Sequence, residues 1–362
     1  MNAKALHSLG IGLATHNAQQ QIIEVYYPQP LLSPDPALSS VLMQSCAISP
    51  DENSVVELDA DTATMLATGL SAAGFADHAE QLTQMAAGKG QVIACVLHTD
   101  SAPASVAEAY LKLHLLSHRL TKPHSLNLDG MFAVLHNLAW TSEGAIDLDE
   151  LPQRQLSARL RGEILEVASV DKFPKMTNYV VPAGVRIAHT ARVRLGAYLG
   201  TGTTVRHEGF VNFNAGTEGP AMIQGRISAG VMIGANSDLG GGCSTMGTLS
   251  GGGTEIISVG ENCLIGANAG IGIPLANGCT VEAGLYLTAG TKLNVLAHDG
   301  ALQKTVKAKE MVGVEGLLYR RNSLTGTVEC VPLKSSISLN DDLHSHNSVS
   351  YTHLTLPTKR IV

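Results

Sequence analysis

Between residues 181 and 296 the chain carries six acidic residues, Glu208, Glu218, Asp238, Glu255, Glu261 and Glu282. Glu208 is the strongest candidate among them for proton transfer or nucleophilic attack. It follows Val205, an apolar residue in a strict six-residue period, so an apolar wall is expected to raise its pKa and keep it useful as a base or nucleophile. The alternative is a surface carboxylate paired with Arg206. His207 is the rival base, because a neutral imidazole suits that work at pH 7. His189 stands eighteen residues earlier, which stacks the two rings on one side of a repeating coil. Such a pair approaches a zinc site, but hydration chemistry on zinc needs three histidines and no third lies in this part of the chain. His114 and His118, at i and i+4, lack the intervening Glu of an HExxH arrangement, and with His124 they read as core or solvated histidines.

Arg226 offers a planar fork that matches a carboxylate. The run SGGGT, residues 250–254, is neither a Walker loop nor a dinucleotide fingerprint. It suits close backbone approach by an extended ligand, donation of N–H groups to an oxyanion, or a simple corner. The six cysteines are scattered with no CxxC and read as small buried hydrophobes, which disfavours a zinc knuckle or a disulfide framework.

These residues need elements to hold them. The chain has 362 residues, a formal net charge of -7, 44% hydrophobic residues and 37 glycines, but only 5 Phe and 1 Trp. It is too apolar for a disordered polymer and too acidic for a general nucleic-acid binder. With no signal-peptide pattern and no membrane-spanning run, a cytoplasmic soluble protein without nucleic-acid or membrane partners is expected. Residues 1–165 read as an α/β domain with strands at 11–15, 21–27, 91–97 and 131–140, a long loop from Pro28 to Pro50, and an amphipathic helix over 105–120. That helix starts at a Ser cap and places Val106, Tyr110, Leu113 and Leu116 on one face.

From Val181 the texture becomes periodic. Val181, Ile187, Val193, Leu199, Val205 and Val211 recur in steps of six; the pattern resumes at Ile227, Ile233 and Leu239, at Val259, Ile265 and Ile271, and at Val281, Leu287 and Leu293. Neither a helix nor a single strand has that period. A left-handed parallel β-helix does, with three hexads per coil and one aliphatic residue of each hexad pointing inward. The chain as a whole therefore reads as mainly β, with this domain at 166–300 and a C-terminal segment at 301–347. Thr217–Arg226 and Gly240–Ser258 break the period and are expected to be loops or distorted coils.

The segments DKFPKMTNYVVPAGVRIA (171–188), RHEGFVNFNAGTEGPAMIQGRISAGVMIG (206–234), MGTLSGGGT (246–254) and EAGLYLTAGTK (282–292) closely resemble the tetrahydrodipicolinate N-succinyltransferase family, in its longer actinobacterial and pseudomonad form. LKLHLLSHRL (111–120), RRNSLTG (320–326) and SLNDDLHSHN (338–347) extend the resemblance. It implies transfer of a succinyl group from succinyl-CoA to the amino group of ring-opened tetrahydrodipicolinate, in diaminopimelate and lysine biosynthesis. Another acyl-CoA or amine acceptor is the alternative. The resemblance gives Glu208 the role of an acyl-anhydride-forming residue, with general-base catalysis equally open, and His207 an auxiliary one. It places acyl-CoA contacts at Gly225, Ser228, Gly251, Gly266 and Ala267, with Arg226 for a carboxylate. Lys304, Lys307, Lys309, Arg320 and Arg321 are candidates for the CoA phosphate. Related enzymes pack as homotrimers with sites between subunits, and the same is expected here. No tightly bound cofactor is implied; a divalent cation is compatible with such an assembly, and the sequence specifies no ligands for one. Residues 348–362 match nothing in the family and read as a non-native tail.

Overall fold

The computed structural model of the chain describes residues 6–49, 51–248 and 254–333. From Arg186 to Thr288 short strands pair in parallel within three sheets that the chain visits in rotation, and two antiparallel pairs from Lys292 onward complete the largest of them. Ile187 pairs beside Val205 and Val205 beside Ile223 in a ten-stranded sheet. Val211 pairs beside Ile227 in a five-stranded sheet, and Leu199 beside Thr217 and Ile233 in a four-stranded one. The six-residue period is the distance from one sheet to the next. Val193, Leu199, Val205, Val211, Ile223, Ile227, Ile233, Leu239, Ile265, Ile271 and Leu287 are all wholly buried. Each such side chain contributes about 1.5–3 kcal/mol of apolar burial, which makes this inward row the main support of the stack.

Two expectations from the period need correction. Val181 is 64% exposed and does not begin the inward row; Val180, its neighbour, packs against the core instead. Thr217–Arg226 is no loop, because it holds strands Gly216–Thr217 and Ala221–Ile223. Thr217 occupies the inward position, where its hydroxyl meets Thr203 Oγ1 at 2.7 Å and accepts from the Gly200 amide at 3.2 Å. The phase changes because Ile227 follows Ile223 after a corner two residues short. Among the described residues of the second break, Ser244–Thr245 is a regular strand, and the repeat resumes at Ser258–Val259.

The N-terminal part is an antiparallel sheet ordered Ile22–Tyr26, Ser8–His16, Gln91–Leu97, Ser54–Leu58, with Leu31–Leu32 paired to Ser8–His16. The 28–50 loop reading fails over Pro36–Ser45, which is helical. Asp35 caps that helix through the Ala37 amide and Pro36 sits in its first turn, a favourable start that its Pro and Ser content obscured. Residues 131–140 are likewise not one strand: Met131–Val134 is a helical turn after Gly130, and the strand is Leu138–Thr141. That strand pairs with Gly144–Asp147 and with Val167–Asp171, forming a small sheet that leads into the stack.

The helix Val106–Ser117 is capped by Ser105 as expected, but it is buried on every side rather than amphipathic. It lies between the N-terminal sheet and the three-sheet stack, and its apolar residues belong to one core with both. Its polar residues are therefore paired internally. Ser117 donates to the Ala197 carbonyl and accepts from the Gly196 amide at 2.8 Å, which ties the helix to the stack. His114 accepts from the Tyr27 amide at 3.2 Å and has its Nδ1 on the Tyr110 carbonyl; burial pushes its pKa down to about 3, so it stays neutral. This is the core-histidine reading of the 114/118 pair.

Candidate active site

The rotation of the chain brings part of the candidate set to one edge. At the edge where the chain passes from the ten-stranded to the five-stranded sheet, successive rounds place Arg206–Gly209, Gln224–Gly225, Gly240–Cys243, Gly266–Ala269 and Glu282–Leu285 above one another. Glu208, Gly225, Gly266 and Ala267 thus share a single edge, and Arg226 opens the strand next to it. Ser228 stands at the opposite margin of the five-stranded sheet. Its hydroxyl donates to the Thr245 carbonyl at 2.6 Å and its amide bonds Thr245 Oγ1, so its side chain closes the corner. Gly251 lies outside the described residues.

Small residues on this edge have a packing cause. A Cβ on Gly225 would collide with the Cys243 side chain and come within 2.6 Å of its carbonyl oxygen, and one on Gly266 would run into the backbone of Ala283. The rounds could not stack at normal spacing with larger residues there. Gly225→Ala is expected to cost about 1–3 kcal/mol, as overpacking does, read as a lowered thermal midpoint beside an unaltered far-ultraviolet spectrum.

Glu208 occupies the first of these corners and is exposed, with 67% of its side chain accessible. Its expected apolar wall is absent in the single chain. The His207 ring is hydrogen-bonded to its Oε1 at 2.8 Å, and this contact, with His207, Arg192 and His189 charges behind it, holds the carboxyl below the usual carboxylate range. The expectation of a raised pKa is therefore overturned in direction. The partner is His207 and not Arg206. His189 does stack one round below, its ring 5.3 Å from His207 and edge-on at 80°. Arg192, which sequence reasoning passed over, fixes the corner: it donates to the carbonyls of Glu208 at 3.0 Å and Gly209 at 3.1 Å. The eighteen-residue register places Arg192 one round below Phe210, and that was the available signal.

The outer row of the five-stranded sheet runs Phe210, Arg226, Ser244, Gly270, Tyr286 in register. Arg226 is exposed and donates to Ser244 Oγ at 2.6 Å, leaving the rest of its guanidinium for an anion. Gly270 has no space for a side chain because the Tyr286 ring covers it. The row thus offers a cation, a hydroxyl and a flat aromatic beside the Glu208 edge. Of the distal cations, Arg320 is paired with Glu329 at 2.9 Å, and Arg321 donates to the Gly326 carbonyl. Lys304 and Lys307 lie on the exposed strand Leu302–Lys307. Among the described residues no group of three His, Cys, Asp or Glu is placed to hold a metal ion, and no helix is long and apolar enough to cross a membrane.

Models of known families match the chain in three places: tetrahydrodipicolinate N-succinyltransferase N-terminal at 76–133, the middle part of the same family at 135–175, and hexapeptide repeat of succinyl-transferase at 256–289. Curated relatives named 2,3,4,5-tetrahydropyridine-2,6-dicarboxylate N-succinyltransferase are 58% identical in Pseudomonas putida and 57% in Pseudomonas aeruginosa, over 95% of this chain and the whole of each relative. One from Vibrio cholerae is 53% identical with the same coverage. A solved Campylobacter jejuni chain assigned as a 2,3,4,5-tetrahydropyridine-2-carboxylate N-succinyltransferase superposes with a TM-score of 0.84 at 28% identity, covering 92% of this chain and 94% of that one. With the Glu208 edge, the three-sheet repeat and identity maintained across the full length of these relatives, the chain belongs to the tetrahydrodipicolinate N-succinyltransferase family.

Proposed function

We propose that this protein transfers the succinyl group of succinyl-CoA to the amino group of ring-opened tetrahydrodipicolinate, in diaminopimelate and lysine biosynthesis. The observation that carries this reading is 53–58% identity to enzymes of that name along their whole length. The three-sheet rotation is read as a left-handed parallel β-helix. Three copies pack into a homotrimer in the cytoplasm, and its clefts set the Glu208 edge of one subunit against its neighbour.

Glu208 begins the reaction as a carboxylate. As a general base it takes the proton of the attacking amine, the nitrogen bonds to the thioester carbon, and the C–S bond then breaks to release CoA. As a nucleophile it first forms a mixed anhydride with release of CoA, and the amine then displaces it. Both routes need the ionised form, and the His207 contact favours that form. Because its pKa is lowered, the carboxylate itself is lost only as pH drops through the lowered value. His207→Ala removes the largest cause, so the acid limb of kcat/KM is expected to move to higher pH. A pH–rate profile of the two proteins checks it.

Arg226 supplies the fork for the succinyl carboxylate, and Gly225, Gly266 and Ala267 let the thioester arm lie close to the backbone. Wild type is expected to prefer succinyl-CoA to butyryl-CoA. Arg226→Ala should raise KM for succinyl-CoA by about 10–100-fold, the effect of a lost charge-assisted pair, while leaving KM for butyryl-CoA within about two-fold. Equal loss with both donors would remove Arg226 from carboxylate recognition; a wild type inert with succinyl-CoA would remove the proposed reaction.

A further inference from the structure

A cavity of about 570 Å³ lies where the N-terminal sheet, the small sheet around Leu138–Thr141 and the first round of the stack meet. Neither Glu208 nor His207 lines it, although Phe210, the first residue of the outer row beside the Glu208 edge, forms one of its walls. On one side stands Glu24, whose Oε1 accepts from Thr15 Oγ1 at 2.9 Å and whose Oε2 accepts from the Tyr179 hydroxyl. Two hydroxyl donors fix that carboxylate in place. Asp171 and Arg194 also face the cavity, but they neutralise each other at 2.6 Å, and the Arg194 guanidinium is further held over the Phe173 ring at 5.2 Å. What remains is one anion, Glu24, and one cation, Lys175. Among the described residues Lys175 has no hydrogen-bond or ion partner for its ammonium, although its backbone is pinned by a bridge to Arg194. Tyr26 and Trp140 add aromatic surface to the lining.

We propose that this cavity binds a free zwitterionic α-amino acid with an apolar side chain, at a site separate from the Glu208 edge. Glu24 receives the α-ammonium, which the nearby aromatic faces also favour, and Lys175 receives the α-carboxylate. The side chain packs against Trp140 and Tyr26. A dicarboxylate without an amino group would set a second anion against Glu24, and an amine without a carboxylate would leave Lys175 unmatched. Small-molecule sites combine an apolar enclosure with a few placed polar groups in this way. The proposal does not depend on which acyl transfer the Glu208 edge performs.

Isothermal titration of the full chain with L-norleucine, hexanoate and hexylamine tests it. Saturable binding is expected for L-norleucine, at least tenfold tighter than for either single-charge probe. Lys175→Ala and Glu24→Gln are each expected to weaken it at least tenfold, and Lys175→Arg to retain it. Because Lys175 has no internal partner for its ammonium, its variants test the site without removing an internal contact. Binding to Glu208→Gln is expected within twofold of wild type. Equal binding of the three probes, no binding of L-norleucine, or indifference to Lys175→Ala would overturn the site. Loss of binding in Glu208→Gln would overturn its separateness.

Discussion

Glu208→Gln is expected to lower turnover with succinyl-CoA by about 10²-fold or more, the range for removal of a general base, and by more if the carboxylate is the nucleophile. Glutamine keeps the size of the side chain and a hydrogen bond to His207 but has no basic oxygen. The carboxylate is two-thirds exposed, and its partners are one ring and a corner held by Arg192 through backbone carbonyls. The thermal midpoint should therefore stay at the wild-type value, as for most surface substitutions. A large loss of rate without a loss of thermal midpoint separates a chemical role from a structural one. If the rate survives, His207 is the next base to remove.

Lys112→Ala is expected to produce the largest loss of stability. The Lys112 ammonium is completely buried and paired with Asp100, and it also donates to the carbonyls of Ser101 at 2.6 Å and Asn127 at 2.8 Å. Asp100 in turn accepts from the Asn127 amide at 2.8 Å. One side chain thus joins the segment after strand Gln91–Leu97, the central helix and the loop leading to Met131. Its removal leaves Asp100 and two carbonyls without their donor and opens a void in the helix that ties the N-terminal sheet to the stack. Breaking a buried pair from one side costs about 3–5 kcal/mol. Denaturant unfolding should show that loss, and Lys112→Met with Asp100→Asn should recover part of it. An effect below about 1 kcal/mol would mean that the pair is not holding these segments together.

The repeat was legible because a strict period of six admits few architectures, and eighteen-residue spacing correctly stacked His189 on His207. Its interruptions were less legible. An apolar count passes over Thr217, although a threonine can turn inward when other hydroxyls and an amide answer it, as Thr203 and Gly200 do. The helix Val106–Ser117 reads as amphipathic because Val106, Tyr110, Leu113 and Leu116 fall at helical spacing. Its polar residues are buried as well: Glu108 closes the cap with Ser105 and the Ala104 amide, while Lys112, His114 and Ser117 meet Asp100, Tyr27 and Gly196, which no helical pattern reveals. At the candidate site, shared position along the repeat was easier to read than environment. Glu208, Gly225, Gly266 and Ala267 fall on one edge, but an inward Val205 three residues away says little about a corner that turns outward. The carboxylate lies among His207, Arg192 and His189 rather than against an apolar wall, and its shift takes the opposite sign. Arg192 escaped notice because its role is backbone support across a round.

Acyl transfer from a thioester to an amine at the Glu208 edge would consume one acceptor for each thiol released. Its most direct test follows free thiol and the mass of the amine product together, in one reaction containing succinyl-CoA and enzymatically generated tetrahydrodipicolinate. Thiol and N-succinyl product are expected in equal amounts, both dependent on the acceptor and both lowered about 10²-fold or more in folded Glu208→Gln. Thiol release without N-succinyl product, or undiminished product formation in Glu208→Gln, would contradict it.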